Sequence, residues 1–99
     1  MSVDDLVRRG REAHHNGDHA AAVQAFRQWA YLEPDDALAH FHLGVALEDA
    51  GETGAATRSF DISRNLLLRG AGTVSVEAFG GYGLDDVLRL LEAKRGGIR

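Results

Sequence analysis

Shifted by 34 residues, this chain lands on itself. Gly10 falls on Gly44, Gly17 on Gly51, Asp18 on Glu52, Ala21 on Ala55, Ala22 on Ala56, Phe26 on Phe60 and Leu32 on Leu66. The stretch from Tyr31 to Phe60 holds the end of one unit and most of the next. A unit this short cannot bury its own apolar face. Copies must stack and bury that face between them. Each unit reads as helix, tight turn at glycine, helix.

The first helix is expected over about 3–16, opened by Ser2 with Asp5 three residues on, a capping-box-like start. Leu6, Gly10 and Ala13 share one of its faces, and Gly10 is small where a partner helix must come close. Asn16-Gly17 ends it, because glycine readily takes the left-handed conformation of a C-cap. A second helix, about 19–32, turns Ala22, Phe26 and Trp29 or Ala30 inward. Pro34 closes the unit, since a residue before proline avoids helical geometry. The third helix, about 36–50, is apolar on two sides: Ala39, Leu43, Ala46, Leu47 and Ala50 form one face, and Leu38, Phe41 and Val45 the other. Such a helix is expected to be the most buried of the set. Gly51 turns the chain into a fourth helix, about 53–68, with Ala56, Phe60 and Leu67 inward.

The pattern then breaks. Gly70, Gly72, Gly80, Gly81 and Gly83 mark a loop over 70–83, with a short element expected at Val74 to Phe79. Leu84, Val87, Leu88 and Leu91 make the stripe of a last helix, about 84–95, with Asp85 and Asp86 in its first turn and Lys94-Arg95 in its last. An unpaired helix at this place is expected to cap the open end of the stack. The organisation is one domain over 1–99: a first unit at about 3–36, a second at about 37–70, the loop, and the capping helix.

Composition narrows the function. Fifteen acidic against 11 basic residues give a net charge of −4, a poor match to nucleic acid or an anionic membrane. Cysteine is absent, which removes disulfides, thiolate chemistry and Cys-based zinc sites and fits a reducing compartment, so a cytoplasmic location is expected. The N-terminus MSVDDLVRRG has no apolar signal-peptide core, and no apolar run is long enough to span a bilayer. Arginine outnumbers lysine, of which Lys94 is the single instance, as GC-rich bacterial genomes favour.

These residues resemble the tetratricopeptide repeat family. Gly10 and Gly44, Gly17 and Gly51, Ala22 and Ala56, Phe26 and Phe60, and Pro34 stand where that family's pattern places them, over residues 3–69. Two positions depart from it. The large aromatic of the first helix is Leu6 in one unit and His40 in the other, and Leu68 replaces the closing proline of the second. The resemblance implies an all-α fold, two helical hairpins stacked as a short right-handed solenoid, plus the C-terminal capping helix. It also implies a binding module rather than an enzyme. More narrowly, YLEPDDALAHFHLGVALEDAG, the LLL end of the second unit and GLDDVLRLLEAKR look like the repeat tail of some chemotaxis receptor methyltransferases, which implies a place in bacterial chemosensory signalling. A small secretion or assembly chaperone that self-associates is the alternative within binding.

In that family the first helix of each pair lines the concave surface. The matching positions are Val7, Arg11 and His14 in the first unit and Leu38, Phe41, Val45 and Glu48 in the second. The Asn and Lys residues with which some members clamp a peptide carboxylate are missing from them. The surface is apolar with a charged rim, which suits an amphipathic helix, a hydrophobic peptide or a second copy of the chain. Five histidines raise a metal-binding alternative, but His15 and His19 are separated by the Asn16-Gly17 break. His40 and His42 point about 200° apart on a helix. Gly70-Ala71-Gly72 lacks the strand–turn–helix setting of a phosphate loop, and the acidic pairs sit at helix ends without a nucleophile and base beside them. Neither a catalytic residue, a metal nor a cofactor is expected.

Overall fold

The computed structural model describes residues 2–70 and 89–93, and every element among them is helical. Four helices run Val3–His15 (α1), His19–Leu32 (α2), Ala37–Asp49 (α3) and Thr53–Leu68 (α4). Residues 89–93 are also helical. The expected loop beyond Gly70, the element at Val74–Phe79 and both ends of the expected last helix lie outside the described residues. So do Leu84, Val87 and Leu88.

Helix boundaries follow from local chemistry. The Ser2 hydroxyl accepts the Asp5 N–H at 3.2 Å. The Asp18 carboxylate accepts the Ala21 N–H at 3.1 Å, and Asp36 accepts that of Leu38 at 2.9 Å. Each thereby satisfies one of the donors a helix start leaves open. Bonding to Ser2 and pairing with Arg8 hold the Asp5 carboxyl below its ordinary range.

The turns inside the two hairpins, α1–α2 and α3–α4, share the same pair of closing hydrogen bonds. In the first, the Asp18 N–H reaches the Ala13 carbonyl at 2.8 Å and the Gly17 N–H reaches that of His14 at 3.2 Å. In the second, Glu52 reaches Leu47 at 2.9 Å and Gly51 reaches Glu48 at 3.0 Å. This is the Schellman pattern, and it needs the left-handed residue supplied by Gly17 at φ +75° and Gly51 at φ +84°.

Packing runs α1 on α2, α2 on α3 and α3 on α4. The two glycine seats are equivalent. A Cβ on Gly10 would lie 2.4 Å from the Phe26 ring, and one on Gly44 would lie 2.5 Å from the Phe60 ring. Each hairpin therefore closes by laying a phenyl ring on bare backbone. Phe26, Trp29 and Ala30 are all buried on α2, and Ala56, Phe60, Leu66 and Leu67 on α4. α3 buries Ala37, Ala39, His40, Phe41, Leu43, Gly44, Ala46 and Leu47, more than any other helix, as its apolar pattern predicts. Ala50, expected inward, is instead the exposed C-cap of α3. Buried Ser63 ties α4 to the start of α3 by donating to the Ala37 carbonyl at 2.8 Å.

The segment 89–93 lies against α4. Leu91 is 1 % exposed and belongs to the main core cluster, and Arg64 Nε meets Glu92 Oε2 at 2.6 Å. The ion pair is partly solvated and adds well under about 1 kcal/mol. Leu91 does the anchoring. Leu91→Asp is expected to undock this segment, cost about 2 kcal/mol and raise dye binding to exposed apolar surface. Thermal denaturation with and without the dye checks it, and an unchanged melting curve would mean that Leu91 seals nothing.

Candidate functional site

The residues expected to line a groove lie on α1 and α3. Repeat register pairs Val7 with Phe41, Arg11 with Val45 and His14 with Glu48. Val7, Leu38 and Val45 are half-buried and pack against the core cluster. Arg11, His14 and Glu48 are exposed. The ends of the two helices meet directly: His14 Nδ1 lies 3.3 Å from Asp49 Oδ2. The face of α1 that carries His14 therefore turns towards the C-terminal end of α3.

Phe41 differs from the expectation of an open aromatic. It is 8 % exposed, its ring centroid 6.1 Å from that of Phe60 and 5.7 Å from that of His42. The cause is the seat at Gly44. Without a side chain there, α4 comes close enough for Phe60 to cover both Gly44 and the residue one turn before it. Phe41 thus belongs to the core, and of the expected apolar positions Val7, Leu38 and Val45 remain half-open.

His42 carries a role that the sequence reading missed. Its ring stacks on Phe26 at 5.3 Å and on Trp29 at 5.9 Å, both at 27° between planes, so it joins the second hairpin to the first. The available signal was its register: His42 lies one position from Phe41 and one from Leu43 on a helix apolar on two sides. His40 is buried too. Its Nε2 lies 2.8 Å from the Pro34 carbonyl. A carbonyl only accepts, so that nitrogen carries the proton, and buried Nδ1 is left without a hydrogen-bond partner. Both side chains are committed to packing. Among the described residues, no three His, Cys, Asp or Glu side chains converge as a metal ion requires.

Beside the α1 face, Asp4, Val7, Arg8, Arg11 and Glu12 line a depression of ≈ 340 Å³. Arg8 is held there by Asp5 at 3.2 Å and Glu12 at 3.8 Å. A larger hollow of ≈ 680 Å³ lies between α2 and the α3–α4 turn, over Val23 and Ala50, with Arg27, Asp49 and Glu52 around it. Another, ≈ 530 Å³, opens on the outer side of the first hairpin. There Arg9 and Glu12 stand in the register where the second unit buries Leu43 and Ala46. These hollows are open and mixed in polarity, and they hold no pairing of nucleophile with base. Comparison of the chain with protein-family models, curated proteins and solved structures finds no match. No helix among the described residues is long and apolar enough to cross a membrane.

Proposed function

We propose that this chain is a tetratricopeptide-type interaction module that takes a peptide or amphipathic helix of a protein partner along the face shared by α1 and α3. The observation that carries this reading is that Val7 on α1 and Leu38 and Val45 on α3 stay half-buried against the core, with exposed Arg11, His14 and Glu48 on the same two helices and His14 meeting Asp49 between them at 3.3 Å. The repeat supports it as well. The same turn hydrogen bonds and the same ring-on-glycine seats recur 34 residues apart, as they do when stacked units share one geometry. Half-open apolar side chains on two neighbouring helices, with charged residues beside them, suit a helix whose anchors recur at i, i+3, i+4 and i+7. On this reading the module is a non-catalytic, cytoplasmic protein. A role in chemosensory signalling rests on the resemblance of YLEPDDALAHFHLGVALEDAG and GLDDVLRLLEAKR alone.

Val45 is the better probe of this surface than Phe41, whose truncation would open the core. Val45→Asp is expected to keep the helical signal, cost less than about 2 kcal/mol of stability and abolish capture of the partner in a pull-down from the source cell. Undiminished capture by a folded Val45→Asp protein would refute the groove.

A further inference from the structure

We propose that the face of α4 beneath residues 89–93 is a second docking surface, and that 89–93 occupies it in the free chain as a built-in competitor. The partner it fits is an amphipathic helix of another protein that presents a leucine followed directly by a glutamate. This surface is separate from the α1–α3 face of the preceding subsection. Its occupant shows the chemistry that it takes. Leu91 is 1 % exposed and shares the core cluster with Phe60, Leu66 and Leu67 of α4. Leu90 is half-buried against the same cluster, and Glu92 meets Arg64 Nε at 2.6 Å. Apolar contact and an ion pair are thus both part of the fit.

Repeat register sets Arg64 apart from permanent packing. Its counterpart in the first unit is Ala30, apolar and 7 % exposed, on the helix that receives α3. The first unit uses a methyl group where α4 presents a guanidinium, and a cation at that place selects what docks. The pair with Glu92 is partly solvated, so it adds little to stability. Its effect is to favour a carboxylate over a cation at the position after the leucine. Leu68 points to a partner beyond the chain itself. It lies one turn past Arg64 on the same side of α4 and stays 56 % exposed with 89–93 in place. A partner helix with one more apolar residue can cover what the chain's own segment leaves open. A segment tethered in the same chain competes at an effective concentration on the order of millimolar, so a partner must outbind it to reach α4.

The probe is a fluorescein-labelled peptide of the chain's own residues 83–95, GLDDVLRLLEAKR, titrated with full-length protein. Leu91→Asp, which undocks the segment, is expected to bind it about tenfold more tightly than wild type, because the internal competitor is gone. Glu92→Arg keeps Leu91, weakens the competitor through the ion pair alone, and is expected to gain about threefold. Should Leu91→Asp lose its helical circular dichroism, Glu92→Arg decides alone. Adding Arg64→Glu to either variant should weaken this peptide and favour its Glu92→Arg version, by an amount that shrinks with salt. Of two unrelated amphipathic helices, one with Leu–Glu and one with Leu–Lys, the first should displace the probe better. Equal affinity of wild type and both variants overturns the proposal, as does equal displacement by the two helices or binding that Arg64→Glu leaves unchanged. Val45→Asp added to either variant should leave the probe bound. Loss there would put the probe on the α1–α3 face, which overturns the α4 surface and leaves the earlier reading standing.

Discussion

Phe60→Ala is expected to remove about 3–5 kcal/mol of stability, a large share of the 5–15 kcal/mol that a domain of this size holds in total. Phe60 is 2 % exposed, and its ring fills the space that a side chain at position 44 would otherwise occupy. Gly44 has nothing with which to refill that space, so the cavity cannot collapse from the α3 side. The ring of Phe41, at 6.1 Å, loses its cover in the same step. Poor collapse places a site towards the upper end of the range for large-to-small changes. In thermal unfolding the loss should read as a fall of at least about 12 °C, at roughly 4–8 °C per kcal/mol for a chain of about this length. Phe26→Ala should behave alike, because Phe26 sits on Gly10 in the same manner and also supports His42. Unchanged melting curves for both variants would contradict the packing described above.

The second large effect is expected from the smallest side chain. Gly44→Ala sets two terms against each other. Alanine gains about 1 kcal/mol over glycine in a helix interior. Its Cβ, however, would lie 2.5, 2.7 and 2.9 Å from three atoms of the Phe60 ring, and that ring is buried and not free to swing aside. Overpacking of this kind costs about 1–3 kcal/mol in net terms, so destabilisation wins. In a Phe60→Ala background the obstacle is gone, and Gly44→Ala should become neutral or stabilising. A double-mutant cycle by urea denaturation reads the sign reversal directly. Additive effects of the two substitutions would mean that the ring does not rest on Gly44.

Helix ends in this protein are written locally, and they were legible from the residues alone. Ser2 caps, Gly17 and Gly51 release the chain, and the observed helices begin and end within about one residue of the expected bounds, with Asp18 and Asp36 adding caps that the structure shows. The recurrence of Gly10 and Phe26 at Gly44 and Phe60 was present as register, and the close approach at Gly10 was expected; that each ring rests on its glycine is what the structure adds. Of the candidate groove, the sequence supplied the helices and the list of positions. It did not separate Phe41, which is buried, from Val45 and Leu38, which stay half-open.

Burial was the quantity that tertiary structure decided. Leu32 and Leu66 occupy the same register, yet Leu32 is 52 % exposed and Leu66 only 4 %. Leu66 shares its core cluster with Leu91, while the exposed end of α2 is left by the chain as it turns through Pro34 into α3. His42 looks polar in the sequence and is stacked against two rings of the preceding hairpin. Period and capping depend on a few neighbouring residues, so the sequence by itself determined where the helices lie; that Phe26 seats on Gly10 and Phe60 on Gly44 came from the structure. A helix that is apolar on two sides gives no local signal of which neighbour will arrive at which side. That choice was made by the close approach of α4 at Gly44, and it is why Phe41 went to the core while Val7, Leu38 and Val45 stayed at the surface.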